Sequence, residues 1–235
     1  MAEFSQDFFR TALTVDNVIF GFDEGDLKVL LIKRGTEPYR DMWALPGDFM
    51  YPNEDLDTSA ARVLNELTGL EKVYLEQVHT FGTVNRHPLG RVATVAYYSL
   101  IKINDYALMP ASFAQKATWH SVTNLKTLAF DHNLILTTCF DTLKQRVRIR
   151  PVGFELLPPK FTLTELQHLY EAILQPKTKD GKLDKRNFRK KILAMHFIVD
   201  INESQEGVAH RPARLYQFDH GKYAKFVAEG FDFEL

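Results

Sequence analysis

The sequence predicts an α+β fold in two domains: strands and helices packed on a sheet over residues 1–150, then a winged helix-turn-helix domain over residues 151–235. Three observations predict it. Strand-like runs and helical apolar periodicity alternate through the first part of the chain. Around Val147 to Pro159 the chain changes character, with Arg146, Arg148 and Arg150 alternating with Val147 and Ile149, and with Pro151, Pro158 and Pro159 following. Beyond that segment, two helical patterns are succeeded by a hairpin.

The composition fits this reading. The chain has 235 residues, 45% hydrophobic and 25% charged, the profile of a soluble globular protein long enough for one or two domains. The single cysteine, Cys139, forms no internal disulfide, fits a reducing compartment and reads as a small buried hydrophobe. The N-terminus has no basic region, and no segment approaches the roughly 20 apolar residues of a membrane span. A cytoplasmic location without membrane association is therefore expected. The net charge of −1 conceals an asymmetry: from Lys144 to the end 17 Lys/Arg stand against 12 Asp/Glu, and before it 12 stand against 18. Such a split hints that one half meets a polyanion.

In chain order, Thr14 to Phe22 and Lys28 to Lys33 read as strands of a hairpin joined by Asp23-Glu24-Gly25-Asp26. Arg34-Gly35 and Trp43-Ala-Leu-Pro-Gly47 follow. Gly47 to Leu70 reads as a turn rich in Gly, Pro and Asn, then a helix with Asp57 or Thr58 near its start and Gly69 as its stop. Leu56, Ala60, Val63, Leu64 and Leu67 recur at near-helical spacing and form a face for packing on a sheet. Val73 to Val84 and Val92 to Ile103 read as strands, with Asn85-Arg86-His87-Pro88-Leu89-Gly90 as the turn between them. Ala117 to Val122 is a short strand. Leu128 to His132 opens a helix to about Gln145, with Leu134, Ile135, Thr138 and Leu143 inward. His132, beside Asp131 at that helix start, reads as a capping or packing residue rather than a ligand.

The stretch from Gly47 to Leu70 resembles the Nudix box, in which a Gly, a Glu and an Arg-Glu-aliphatic-x-Glu-Glu-x-Gly-aliphatic helix follow one another at fixed spacing. Glu54, Arg62, Leu64, Gly69 and Leu70 match; the opening Gly is Asp48, and the three helix carboxylates fall at Val63, Glu66 and Leu67. The resemblance implies an α/β/α sandwich with a mixed sheet for residues 1–150, and that these three positions share the helix face that holds divalent cations. Mg²⁺ requires hard oxygen ligands, which Val and Leu do not supply. The box is thus read as a fold signature without metal, cofactor or catalytic residues; equally, Arg62 and Glu66 read as a plain i,i+4 surface pair.

In the second domain, Phe161-Thr162-Leu-Thr-Glu165 is a capping-box signal, with Leu166, Leu169, Tyr170 and Ile173 on one helix face and an end before Pro176. Asp184 is the expected N-cap of the next helix, whose Phe188, Ile192 and Met195 face a core. Between Lys177 and Lys191 stand eight basic residues and two acidic ones. A charge run alone is a solvated face; on the second helix of a helix-turn-helix, followed by the hairpin Ile198–Ile201 and Arg214–Phe218, it is the electrostatic footprint of duplex DNA. The expected DNA contacts are Lys182, Lys185, Arg186, Asn187, Arg189, Lys190 and Lys191, with His210, Arg211 and Arg214 on the wing.

Together with Arg-Pro-Ala-x-Leu-Tyr at Arg211 to Tyr216, these patterns resemble the Nudix-related transcriptional regulators. The resemblance implies a non-enzymatic, dimeric operator-binding regulator, a repressor of a sugar-catabolism or NAD-related operon. It implies a small effector, either ADP-ribose or a pentose such as arabinose, and the missing metal carboxylates favour the neutral sugar. Effector-contact candidates are Lys33, Arg34, Trp43, Asp48, Glu54, Glu66 and Trp119. Two other readings stand beside it: a pyrophosphohydrolase acting on ADP-ribose-like nucleoside diphosphates through Glu54 and Glu66, and a module whose basic helix binds an acidic protein.

Overall fold

Eight successive residues, Thr14 to Gly21, are buried. Successive strand side chains point to opposite faces, so this strand lies inside a sheet covered on both sides. It is β1 (Ala12–Asp23) of the computed structural model, which describes residues 10–23, 25–150, 152–207 and 211–228. The chain forms two units, one comprising Lys28–Thr142 with the residues up to Gly21, the other Leu143 onward with Phe22–Leu27.

In the first unit the sheet order is β3 (Trp43–Ala44), β2 (Asp26–Arg34), β1, β6 (Val92–Lys102) and β5 (Glu76–Phe81). A further strand, β4 (Gly47–Phe49), pairs with β1, and β7 (Ala114–Ser121) pairs with β2. The β1–β4, β2–β3, β2–β7 and β5–β6 ladders are antiparallel. Between β1 and β6 the contacts advance together: Ala12 N–H donates to Arg91 O at 3.0 Å and Thr14 Oγ1 to Ala93 O at 3.3 Å. That pair is parallel, and the sheet is mixed, as the Nudix resemblance implies. β3 and β4, two and three residues long, are too short for alternation to register in sequence, and β5 is shorter than the run Val73 to Val84.

The helix α1 (Leu56–Thr68) has Asp57 and Thr58 in its first turn, as expected, and Asp55 is its N-cap, accepting the Thr58 N–H at 2.8 Å. It ends at Gly69, where φ is 80° and an added Cβ would stand 2.9 Å from Met109 backbone nitrogen. Ala60, Val63 and Leu67 are buried with Val15, Ile32, Val95 and Tyr97 in one core cluster. The helix α2 (His132–Ile149) starts four residues after Leu128, because Phe130 takes a left-handed φ of 52° that a helix cannot include, and it continues past Gln145. Its buried apolar residues are Ile135, Leu136, Cys139, Phe140, Leu143 and Val147; contrary to expectation, Leu134 faces solvent. Burial pushes the Cys139 thiol up to about 12, in keeping with its reading as an inert core residue.

In the second unit, α3 (Leu163–Leu174) opens with the expected capping box: Glu165 N–H donates to Thr162 Oγ1 at 3.1 Å, and Thr162 N–H to Glu165 Oε2 at 2.7 Å. Asp184 caps α4 (Lys185–Leu193), accepting the Asn187 N–H at 2.7 Å. β8 (Ile198–Ser204) pairs antiparallel with β9 (Arg214–Phe218), and Phe161 bridges Tyr216 with bonds of 3.0 and 2.8 Å. These elements make the winged helix. A last helix, α5 (His220–Ala228), was not anticipated; its Tyr223 and Phe226 rings meet Phe197, at 5.4 and 5.5 Å between centroids.

Candidate functional site

A cavity of about 240 Å³ opens in the first unit where β1, β2, β4, the 85–90 turn and the start of α2 converge. Its floor is a polar network. Leu45 N–H donates to His132 Nδ1 at 2.9 Å, and His132 Nε2 lies 3.3 Å from Asp16 Oδ1. Thr94 Oγ1 donates to the other Asp16 oxygen at 2.7 Å. Since Nδ1 accepts a backbone proton, His132 is the neutral Nε2–H tautomer, and burial holds its pKa below the ordinary imidazole value. Gly47 is required here by close approach: a Cβ would fall 1.9 Å from Asp16 Oδ1.

The cations differ in their commitments. Arg86 is bound to both Asp131 oxygens, at 2.9 and 2.7 Å, so its charge is neutralised in place. Arg34, 9% exposed, donates its Nε–H to Pro38 O at 2.9 Å, and its guanidinium lies between Phe113 and Phe130, 5.1 and 5.0 Å from their centroids. Among the described residues its terminal nitrogens meet no acceptor. The aromatic wall continues as His87 stacks on Phe130 at 5.1 Å and 14°, with Phe49 edge-on to His87. The arrangement offers a planar apolar slot and one uncommitted cation.

The box helix presents a different surface. Val63 and Leu67, 0% and 1% exposed, point into the core, so two of the three positions expected on one metal-binding face are absent from that face altogether. Glu66 bonds Arg62 at 3.1 Å. Arg62 also binds Glu54 Oε2 at 2.9 Å and Phe49 O at 2.9 Å, and its guanidinium lies 3.9 Å from the Tyr51 ring centroid. This clamp, more than an i,i+4 surface pair, ties the 49–54 turn to α1 and holds the Glu54 carboxyl at about 2. Among the described residues no group of three or more His, Cys, Asp or Glu is arranged to hold a metal ion, and these residues do not fit one.

Of the seven effector candidates, Arg34 and Asp48 line the cavity. Glu54 and Glu66 belong to the Arg62 clamp. Lys33 points opposite to Arg34 and pairs with Asp41 at 3.3 Å; Trp43 meets the His120 ring at 4.4 Å; Trp119 packs beside Ile19 and Leu30. Asp16, Arg86, His87, Phe113, Phe130 and His132 are lining residues that the sequence reading did not select. The Arg-His pair inside the 85–90 turn was the one available signal.

On α4, Lys185, Arg186, Asn187, Lys190 and Lys191 are exposed, as is Lys182 before it. Arg189, expected outward, is half-buried instead, with a terminal nitrogen 3.5 Å from Thr164 Oγ1 on α3. Arg211 is exposed, Arg214 is paired with Asp200 at 2.8 Å, and His210 lies outside the described residues.

A model of the NUDIX domain matches residues 10–138, and one of the NrtR DNA-binding winged helix domain matches residues 153–218. The chain is 37% identical over 216 residues to the ADPR responsive transcriptional repressor NtrR of Acinetobacter baylyi, covering 90% of this chain and 84% of that protein. The crystal structure of Shewanella oneidensis NrtR complexed with a 27mer DNA has a TM-score of 0.72 at 28% identity, covering 94% of this chain and 97% of that one. The NUDIX domain of the same protein complexed with ADP ribose has a TM-score of 0.55 at 30% identity, covering 60% and 95%. These findings do not support the expectation of a neutral pentose and a sugar-catabolism operon, and sugar sensing conflicts with the ADP-ribose responsiveness of the Acinetobacter relative. No helix among the described residues is long and apolar enough to cross a membrane.

Proposed function

The chain belongs to the NrtR-type regulators, a NUDIX domain followed by the NrtR DNA-binding winged helix, and from that premise we propose that it is a transcriptional repressor responsive to ADP-ribose. Residues 1–150 are the effector domain and residues 151–235 the operator-binding domain. One observation carries the effector assignment: the buried, uncommitted Arg34 guanidinium beside a stacked aromatic wall. A diphosphate neutralises that cation through charge-assisted hydrogen bonds, and a purine fits against planar rings. ADP-ribose is a fragment of NAD, so the regulated genes are NAD-related.

Lys182, Lys185, Arg186, Asn187, Lys190, Lys191 and Arg211 form the DNA-facing set, and a homodimer presents two such helices to a palindromic operator. The domain does not hydrolyse its effector: with Val63 and Leu67 in the core, nothing holds the Mg²⁺ that would neutralise a diphosphate and activate water.

The test is operator binding by fluorescence anisotropy, with and without saturating ADP-ribose. A coupling of about 1–3 kcal/mol, or roughly 5–150-fold weaker operator binding, is expected; unchanged affinity refutes the sensing role. Metal-supplemented turnover of ADP-ribose at about 1 s⁻¹ or faster, within the ordinary enzyme range, refutes the non-enzymatic one.

A further inference from the structure

Asp48 stands where the Nudix box opens with Gly, and it lines the cavity from β4, half-buried. Among the described residues its carboxylate receives one hydrogen bond, from the adjacent Phe49 N–H at 2.8 Å, and no cation lies within 4.0 Å of it. Of the nearest cations, Arg62 is held by Glu54 and Glu66, and Arg34 acts on Asp48 through space but forms no ion pair with it. A carboxylate partly removed from water without a partner is costly. The backbone here does not demand Asp, since the family pattern has Gly.

Among the described residues the cavity therefore holds two charges of opposite sign that make no direct contact: Arg34, whose terminal nitrogens meet no acceptor, and Asp48, which accepts one backbone hydrogen bond. Arg34 only donates hydrogen bonds, and an ionised Asp48 only accepts them. A phosphate satisfies Arg34 but is repelled by Asp48. A bare sugar satisfies Asp48 and leaves Arg34 unpaired. A ligand presenting an anion and hydrogen-bond donors, such as sugar hydroxyls, within one small cavity satisfies both. We infer that Asp48 is a specificity-determining residue that accepts hydrogen bonds from the sugar hydroxyls of a phosphosugar moiety whose phosphate is held by Arg34. This rests on the reading of the cavity as the effector site, and it assigns the terminal ribose end of ADP-ribose to the Asp48 side.

The experiment is calorimetric titration of the full chain with ADP-ribose and with the β-methyl ester of ADP, which keeps both phosphates at the same charge and lacks the terminal ribose. The wild type prefers ADP-ribose by about tenfold or more, because a site built to bond hydroxyls rejects a ligand without them. Asp48→Ala reduces that ratio to about threefold or less by weakening ADP-ribose alone, and Asp48→Asn, which keeps an acceptor oxygen without the charge, falls between; Arg34→Ala weakens both ligands alike. If Asp48→Ala and Asp48→Asn leave the ratio unchanged while ADP-ribose binds the wild type, the inference is overturned and the effector site stands. If ADP-ribose does not bind the wild type at all, both fall together. Thermal melts of each variant separate loss of fold from loss of discrimination.

Discussion

Restoring a box carboxylate by Val63→Glu does not rebuild a metal site; it places a carboxyl in the core. Val63 is fully buried in a cluster with Val15, Ala60, Leu67, Val95 and Tyr97, and the Tyr97 hydroxyl already donates to Asp57 at 2.7 Å. A carboxyl buried there stays protonated to a pKa of about 8–9. Keeping it protonated at pH 7.5, about three units above its unfolded value, costs about 4 kcal/mol at 1.36 kcal/mol per unit. At pH 5 the same term is about 1 kcal/mol. The sign follows from the raised folded pKa: the unfolded chain releases the proton first, so the penalty is absent below about pH 4 and grows as pH rises. Overpacking adds about 1–3 kcal/mol at every pH. The total at pH 7.5 is a large part of the roughly 5–15 kcal/mol that holds a domain folded. Urea denaturation of the wild type and the variant at both pH values, with and without Mg²⁺, measures this directly. An equal destabilisation at pH 5 and 7.5, or a stabilisation of the variant by millimolar Mg²⁺ beyond that of the wild type, refutes the placement of Val63 in the core.

Other outcomes follow from the same geometry. His132 is held below its ordinary pKa by burial, so the unfolded chain binds its proton first and stability is lost as pH falls below about 6.5; His132→Gln flattens the pH 7 to 5 slope of the denaturation midpoint, and an unchanged slope counts against a neutral His132. On α4, Lys190→Ala and Lys191→Ala each reduce the salt slope of DNA binding by about 0.9 on every duplex, whereas Arg186→Ala and Asn187→Ala cost roughly 1–3 kcal/mol on the preferred site and relax its specificity. Identical behaviour of all four on specific and random duplexes refutes that division. Arg189→Ala lowers the melting temperature by the equivalent of about 0.5–1.5 kcal/mol for a lost hydrogen bond, and leaves the salt slope intact; a slope reduced as for Lys190 places Arg189 on DNA after all.

The features legible in the sequence are those whose cause is local. The Thr162–Glu165 capping box, the Asp184 cap, the Gly69 stop and the apolar face of α1 each depend on residues within about one helical turn of one another, and the order of two domains follows from them. The basic face of α4 was legible for the same reason, apart from Arg189, whose inward turn depends on Thr164, distant in sequence. The α5 helix escaped because its apolar residues find their partner, Phe197, across the fold. The cavity was decided only by tertiary structure. Asp16, Arg34, Asp48, Arg86 and His132 come from three strands, a turn and a helix start spread over more than a hundred residues. Lys33 and Arg34 are neighbours in sequence, yet strand alternation sends one to an ion pair with Asp41 and the other into the cavity. Which face is the buried one depends on the register of β2 against its neighbours and on what packs over the sheet, and no local spacing encodes that.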